Sequence, residues 1–181
     1  MRFDVKKMAN IAVLSALGIV FMLLLRFPLI PSAAYLEYDP ADIPILIGGF
    51  MYGPIEGIII TIIVAFIQAV SVSAGSGWVG FIMHVIASGT LVLVASLIYK
   101  KIHTYKGAII SLIAGSISMI LVMIPANLYF SPKFGIPYEA VKASLLVAVV
   151  PFNILKSVIN SVLTMLLYKP LKRALNKINI R

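Results

Sequence analysis

Ala41-Asp42-Ile43-Pro44-Ile45-Leu46-Ile47-Gly48-Gly49-Phe50-Met51-Tyr52, followed by Gly53-Pro54, is the stretch on which the architecture turns. It is apolar but only about a dozen residues long, and a helix needs about 20 to cross about 30 Å of hydrocarbon. Five other apolar segments reach that length, at about residues 8–25, 55–74, 79–99, 107–126 and 143–168. If the short segment crosses, the chain makes six spans; if it is re-entrant, it makes five.

The basic residues decide between the two. Arg2, Lys6 and Lys7 lie before the first span, and Lys100, Lys101 and Lys106 between the fourth and fifth. Lys169, Lys172, Arg173, Lys177 and Arg181 close the chain, so these clusters hold eleven of the 15 Lys and Arg residues. With six crossings all three clusters fall on the cytoplasmic side, as the positive-inside rule requires; with five, the last two fall outside. The expectation is therefore an all-α integral membrane bundle of six helices with a short second one. Both termini are cytoplasmic, and Gly53–Pro54 makes a tight inner hairpin. The tyrosines agree: Tyr52, Tyr99, Tyr105 and Tyr168 fall at inner ends. Tyr35, Tyr38, Trp78, Tyr129 and Tyr138 fall at outer ones, giving the two aromatic belts expected at headgroup level.

Composition points the same way. Of 181 residues 61% are hydrophobic and only 12% charged, yet the net charge is +9. A water-soluble domain does not solvate its surface on so few charges. The length fits one domain spanning residues 1–181. Cysteine is absent, which removes disulfides and thiolate metal sites. The basic start opens a full-length apolar segment with no small-residue cleavage site, so it reads as a first span and not as a removed signal.

Against this apolar background the few polar residues stand out. A lysine inside a membrane helix costs about 2.5–3.5 kcal/mol on insertion scales, and such residues usually face a bundle interior or cavity. At 1.5 Å per residue above Lys169, Lys156 sits roughly 20 Å up the last helix, about 10 Å below the outer surface. Lys142, Asn153, Lys156 and Asn160 share a narrow arc of that helix, and Pro151 just above is expected to kink it and free a carbonyl. Gln68, His84 and Asn127 fall at similar height on the third, fourth and fifth helices. Snorkelling of Lys156 or a purely structural hydrogen-bond network is the competing explanation. Gln68 and His84 fit a helix-tying role as well as ligand contact. Together the group describes a pocket in the outer half of the membrane, open to one side. The loops at residues 26–40 and 130–138 suit a lid or rim. Asp39 reads as an N-cap, with Pro40 at the first helical position and Asp42 in the first turn. Ala9, Ala12 and Ala16 form a small-residue stripe that another helix can approach closely.

Absent motifs narrow the function. No G-x-x-x-x-G-K-[ST] loop is present, so the chain does not hydrolyse ATP, and no H-E-x-x-H, G-x-S-x-G or intramembrane acidic pair points to an enzyme. No acidic residue is expected deep in the membrane to relay protons or hold sodium. A pocket without an energy source needs a partner to become a transporter.

The stretch Tyr35-Leu36-Glu37-Tyr38-Asp39-Pro40-Ala41-Asp42-Ile43-Pro44, then Ile47-Gly48-Gly49-Phe50-Met51-Tyr52-Gly53-Pro54, resembles the riboflavin-specific S components of energy-coupling factor (ECF) transporters. So does Val150-Pro151-Phe152-Asn153-Ile154-Leu155-Lys156 with Asn160, and the likeness extends over nearly the full length. Tyr38 and Pro40 stand where the family often shows Leu and Phe, and His84 where asparagine is expected.

The resemblance implies a multi-pass protein of the prokaryotic cell membrane that captures riboflavin from outside, without a cofactor of its own. Its partners would be a transmembrane coupling (T) subunit, faced by Ala12 and Ala16, and two ATPase subunits that use ATP. The same resemblance implies that Asn127, Asn153 and Lys156 contact the flavin beneath a lid around Leu36, Tyr38 and Asp39. Gln68 and His84 are candidates for the ribityl chain. Thiamine, being cationic, fits poorly beside Lys156. An S component for another vitamin (biotin, thiamine or a pyridoxal-like compound) and a non-transport membrane scaffold are the alternatives.

Overall fold

The structure is a computed structural model that describes residues 5–33 and 35–178. Arg2 and Arg181, which belong to the basic clusters, lie outside the described residues. The helices are α1 (Val5–Leu24), α2 (Asp42–Tyr52), α3 (Pro54–Val70), α4 (Gly77–Tyr99), α5 (Tyr105–Phe130), α6 (Tyr138–Ser144) and α7 (Val150–Ile178). A π-helical turn, Leu145–Val149, joins α6 to α7 without a loop. The segments Val5–Leu24, Gly77–Tyr99, Tyr105–Phe134 and Tyr138–Leu175 are long and apolar enough to span a membrane.

Two helices are shorter than that. The third segment was expected to run to Ala74, but α3 ends at Val70 after 17 residues, because Ser71 leaves the helical conformation and Ala74–Ser76 forms a separate 3₁₀ turn. With α2 at 11 residues, α2 and α3 form a short pair. Gly53 has φ of 117°, a value reserved for glycine, and Pro54 follows at the start of α3. That geometry folds the pair back on itself. The close approach continues along it: a Cβ on Gly57 would lie 2.6 Å from Val92 Cγ2 and 3.1 Å from the Gly49 Cα. The small residues thus let α2 and α3 touch backbone to backbone, with the Val92 and Ser96 side chains of α4 packed against the same glycines, the packing mode available where no hydrophobic force drives helices together.

The N-terminal helix lies against this pair. Asn10, Leu14, Gly18 and Met22, four residues apart, form its buried face. Asn10 Nδ2 donates to Tyr52 Oη at 2.6 Å, and Lys7 forms an ion pair with Glu56. Ala9, Ala12 and Ala16 are all exposed, so among the described residues no helix of this chain covers the alanine stripe. At the same end as Tyr52, Phe50 stacks on Tyr99 at 4.3 Å and Tyr168 meets Tyr99 edge-on. Tyrosines expected on one side of the membrane therefore gather at one end of the bundle.

The opposite end holds the two long loops. The loop at 26–40 is not wholly irregular, and the all-α expectation needs a small amendment. Phe27–Pro28 (β1) pairs antiparallel with Glu37–Tyr38 (β2), in the register Phe27↔Tyr38 and Pro28↔Glu37. An Arg26–Glu37 ion pair and the Phe27 and Tyr38 rings, 5.3 Å apart, close the ladder. Tyr38 is consequently only 4% exposed. Its expected place in the outer aromatic belt is corrected: the hairpin turns the ring inward.

Candidate functional site

A cavity of about 260 Å³ lies beneath both loops, where α3, α4, α5 and α7 converge. Gln68 enters from α3, His84 from α4, Asn127 from α5, and Asn153 and Lys156 from α7. Leu36 and Asp39 come from the first loop, and Phe134 and Ile136 from the second. Apolar side chains, among them Met83, Ala87, Met123 and Phe152, make the walls. Of the eight residues singled out in the sequence for this pocket, Tyr38 alone does not line it.

Each polar group reaches the cavity for a local reason. Asn127 follows Pro125, and its Nδ2 donates to Met123 O at 2.8 Å, while Ser131 Oγ donates to its Oδ1. Asn153 does the same one helix away, its Nδ2 donating to Val149 O at 2.8 Å. Val149 ends the π-helical turn, two residues before Pro151. A π turn widens the helix by one residue and reorients the side chains beyond it, and such turns recur at functional sites. The distortion expected from Pro151 is thus present, but it is taken up as a π turn on the N-terminal side of the proline.

Among the described residues, Gln68 Oε1 and His84 Nε2 on the helices are buried without a hydrogen-bond partner, as is Arg26 Nε at the rim. Orphaned buried polar atoms are uncommon in folded proteins, since each forgoes a bond that water would supply. Here all three belong to residues that line the same cavity.

The floor of the cavity is an ionic cluster. Lys156 Nζ lies 3.5 Å from Asp39 Oδ2 and 3.6 Å from Asp42 Oδ2, and all three residues are buried. Asn160 Nδ2 donates to Asp42 Oδ2 at 2.9 Å, and Ser88 Oγ donates to Asp42 Oδ1. Tyr38 Oη donates to Asn160 Oδ1 at 2.8 Å. One network thereby ties the first loop, α2, α4 and α7 together.

Three expectations are corrected by it. Asp39 does not cap α2: the helix starts at Asp42 after Ala41, with no side-chain cap. Instead Asp39 Oδ1 accepts from the Ala41 N–H at 3.1 Å, a tight local turn that frees Oδ2 for Lys156. The absence of deep carboxylates also fails, because Asp39 and Asp42 are carried inward to meet the lysine. Third, Tyr38 serves as a buried hydrogen-bond donor to α7 and not as a wall of the cavity.

The electrostatics of the loop arise from this packing. Burial opposes ionisation of Asp39, but Lys156 and the Ala41 N–H outweigh it and hold the carboxyl below its ordinary 3.8. Burial, and then Asp42, push the Tyr38 hydroxyl up to about 12.

Sequence reasoning missed Asp42 and Ser88 as members of the site's ionic floor, and Arg26 and Glu37 at its rim. Their signal was present only in part: three of the six acidic residues crowd into positions 37–42.

Known proteins are similar to this chain along their length. The family model for the substrate-specific component of ECF transporters matches residues 6–168. The chain is 30% identical over 177 residues to the riboflavin transporter FmnP of Bacillus subtilis, covering 93% of each chain. It is 29% identical over 180 residues to the riboflavin transporter RibU of Staphylococcus aureus, covering 96% of this chain and 94% of that one. A solved structure of the S component of a bacterial ECF transporter superposes with a TM-score of 0.80 at 31% identity. That match covers 94% of this chain and 97% of the other. A multi-pass membrane bundle with this cavity, matched along its length by one family, belongs to the substrate-specific components of ECF transporters.

Proposed function

We infer that this chain binds riboflavin from the outer side of the membrane and delivers it as the S component of an ATP-driven transporter. The observation that carries the reading is the cavity itself: apolar walls with a few convergent polar groups, in a family whose relatives FmnP and RibU are named riboflavin transporters. An isoalloxazine ring is flat and largely apolar, with one edge of alternating donors and acceptors. Aliphatic and sulfur-bearing walls suit its faces, and the Asn127 and Asn153 amides with Lys156 suit that edge. Gln68 Oε1 can accept a hydrogen bond from a ribityl hydroxyl, and His84 Nε2 can accept or donate one according to its tautomer. Leu36 and Asp39 would close over the ligand.

The six-span topology with both termini cytoplasmic rests on the distribution of basic residues. In that frame the cavity opens outward, and Lys7, Tyr52 and Tyr99 mark the inner end. Energy comes from elsewhere, from a coupling subunit with two ATPase subunits, and the exposed Ala12 and Ala16 are where the coupling subunit would pack.

The test is uptake of labelled riboflavin by cells lacking their own flavin transport, supplied with this chain and the coupling subunits together or singly. Uptake that needs both components supports the reading. Accumulation of biotin or a pyridoxal-like compound, with riboflavin ignored, replaces the substrate and keeps the fold.

A further inference from the structure

A second hollow, of about 500 Å³, runs along the outside of the bundle between α5 and α7. Tyr105 stands at one end of it. Ile113 and Ser116 of α5 face Ser157, Ser161 and Met165 of α7 along its length. It follows α5 over residues 105–120, about 22 Å at the rise of an α-helix. A groove of about 500 Å³ over that length has room for an extended chain of methylenes. The length exceeds one leaflet, about half of the 30 Å hydrocarbon core.

Each of the two helices carries a lysine just beyond the residues that line the groove. Lys106 lies two helical turns before Ile113, on the same face of α5. Lys169 lies one turn past Met165, on the same face of α7. Both lysines are exposed, and Tyr105 beside them is 69% exposed. A mainly apolar groove that an acyl chain can fill, with Tyr105 at one end and an exposed lysine just beyond it on each helix, is complementary to an amphiphile with an anionic head. We propose that this groove is a binding site for an anionic phospholipid, with one acyl chain in the slot and the phosphate between Lys106 and Lys169. The inference does not depend on what the outer cavity binds.

The absence of cysteine from the chain makes a site-directed probe simple. An Ile113→Cys variant carrying a bimane label is reconstituted in vesicles with dibrominated phosphatidylglycerol or dibrominated phosphatidylcholine, and quenching is followed against brominated lipid fraction. The expected result is half-quenching at a lower fraction of phosphatidylglycerol, by about fivefold for each lysine that engages the headgroup. In the labelled Lys106→Gln/Lys169→Gln protein the two lipids should quench alike. Retained binding to the outer-cavity ligand shows that this variant is folded. Equal quenching by both lipids in the parent protein overturns the proposal. So does a preference that survives loss of the lysines. Loss of quenching when the coupling subunit is added would assign the groove to a protein partner instead.

Discussion

Lys156 on α7 and Asp39 in the first loop meet across the floor of the cavity, with Nζ 3.5 Å from Oδ2. The contact joins the loop that lines the cavity to the helix that supplies its cation. Removing one partner of a buried pair strands the other, at about 3–5 kcal/mol. Lys156→Ala leaves both Asp39 and Asp42 without their cation. Its melting temperature should fall, and riboflavin affinity should fall at least tenfold, about 1.4 kcal/mol. The double variant Lys156→Ala/Asp39→Asn removes one of the stranded charges. It should recover part of the stability while affinity stays low. Recovery of affinity with stability would show that Lys156 only supports the fold.

Tyr38 anchors the same loop by a bond to Asn160. Tyr38→Phe deletes the hydroxyl and keeps the ring against Phe27, so it should cost about 1 kcal/mol. Because the loop lies over the cavity, faster ligand dissociation in stopped-flow should accompany that loss, with the association rate little changed. Asn160→Leu should be worse, since it also strips a donor from Asp42.

The pH response is set by the two loop residues. Asp39 is held below its ordinary 3.8, so its contribution is fully present above that value and disappears as pH falls through the lower folded value. Tyr38 is raised to about 12, so its contribution is complete below its ordinary 10.0 and disappears as pH rises through 12. Stability measured in detergent should therefore be insensitive to these two groups between about pH 5 and pH 9. A midpoint near neutrality that vanishes in Asp39→Asn would contradict the assignment.

Gly57 packs against Gly49 and Val92 with no space for a methyl group. Gly57→Ala should lower stability by about 1–3 kcal/mol through overpacking. In contrast, Ala12→Leu and Ala16→Leu lie on an exposed face. They should leave ligand affinity and melting temperature unchanged while abolishing uptake with the coupling subunits.

Much of this site is legible in the sequence because a polar residue in an apolar helix has few explanations. Asn127, Asn153 and Lys156 announce themselves that way, and α7 carries the last two one turn apart. What stays hidden is pairing over distance. Asn160 and Asp42 are 118 residues apart in the chain, and no local pattern joins them. Asp39 misleads for a specific reason: an aspartate followed by proline and an apolar run has the same composition whether it caps a helix or makes a turn. The β1–β2 ladder escapes because two-residue strands have no periodicity to read. The π-helical turn escapes because Leu145–Val149 is an ordinary apolar run.

The most direct test of riboflavin binding is titration of the detergent-purified protein, after removal of any co-purifying ligand, with the flavin's own fluorescence as signal. Trp78, the single tryptophan, adjoins the cavity-lining Val79 and gives a second signal. The account predicts saturable quenching of both fluorophores at one site with nanomolar affinity, together with yellow colour and flavin absorption in protein purified without that removal. A colourless protein whose fluorescence and melting temperature ignore riboflavin would contradict it.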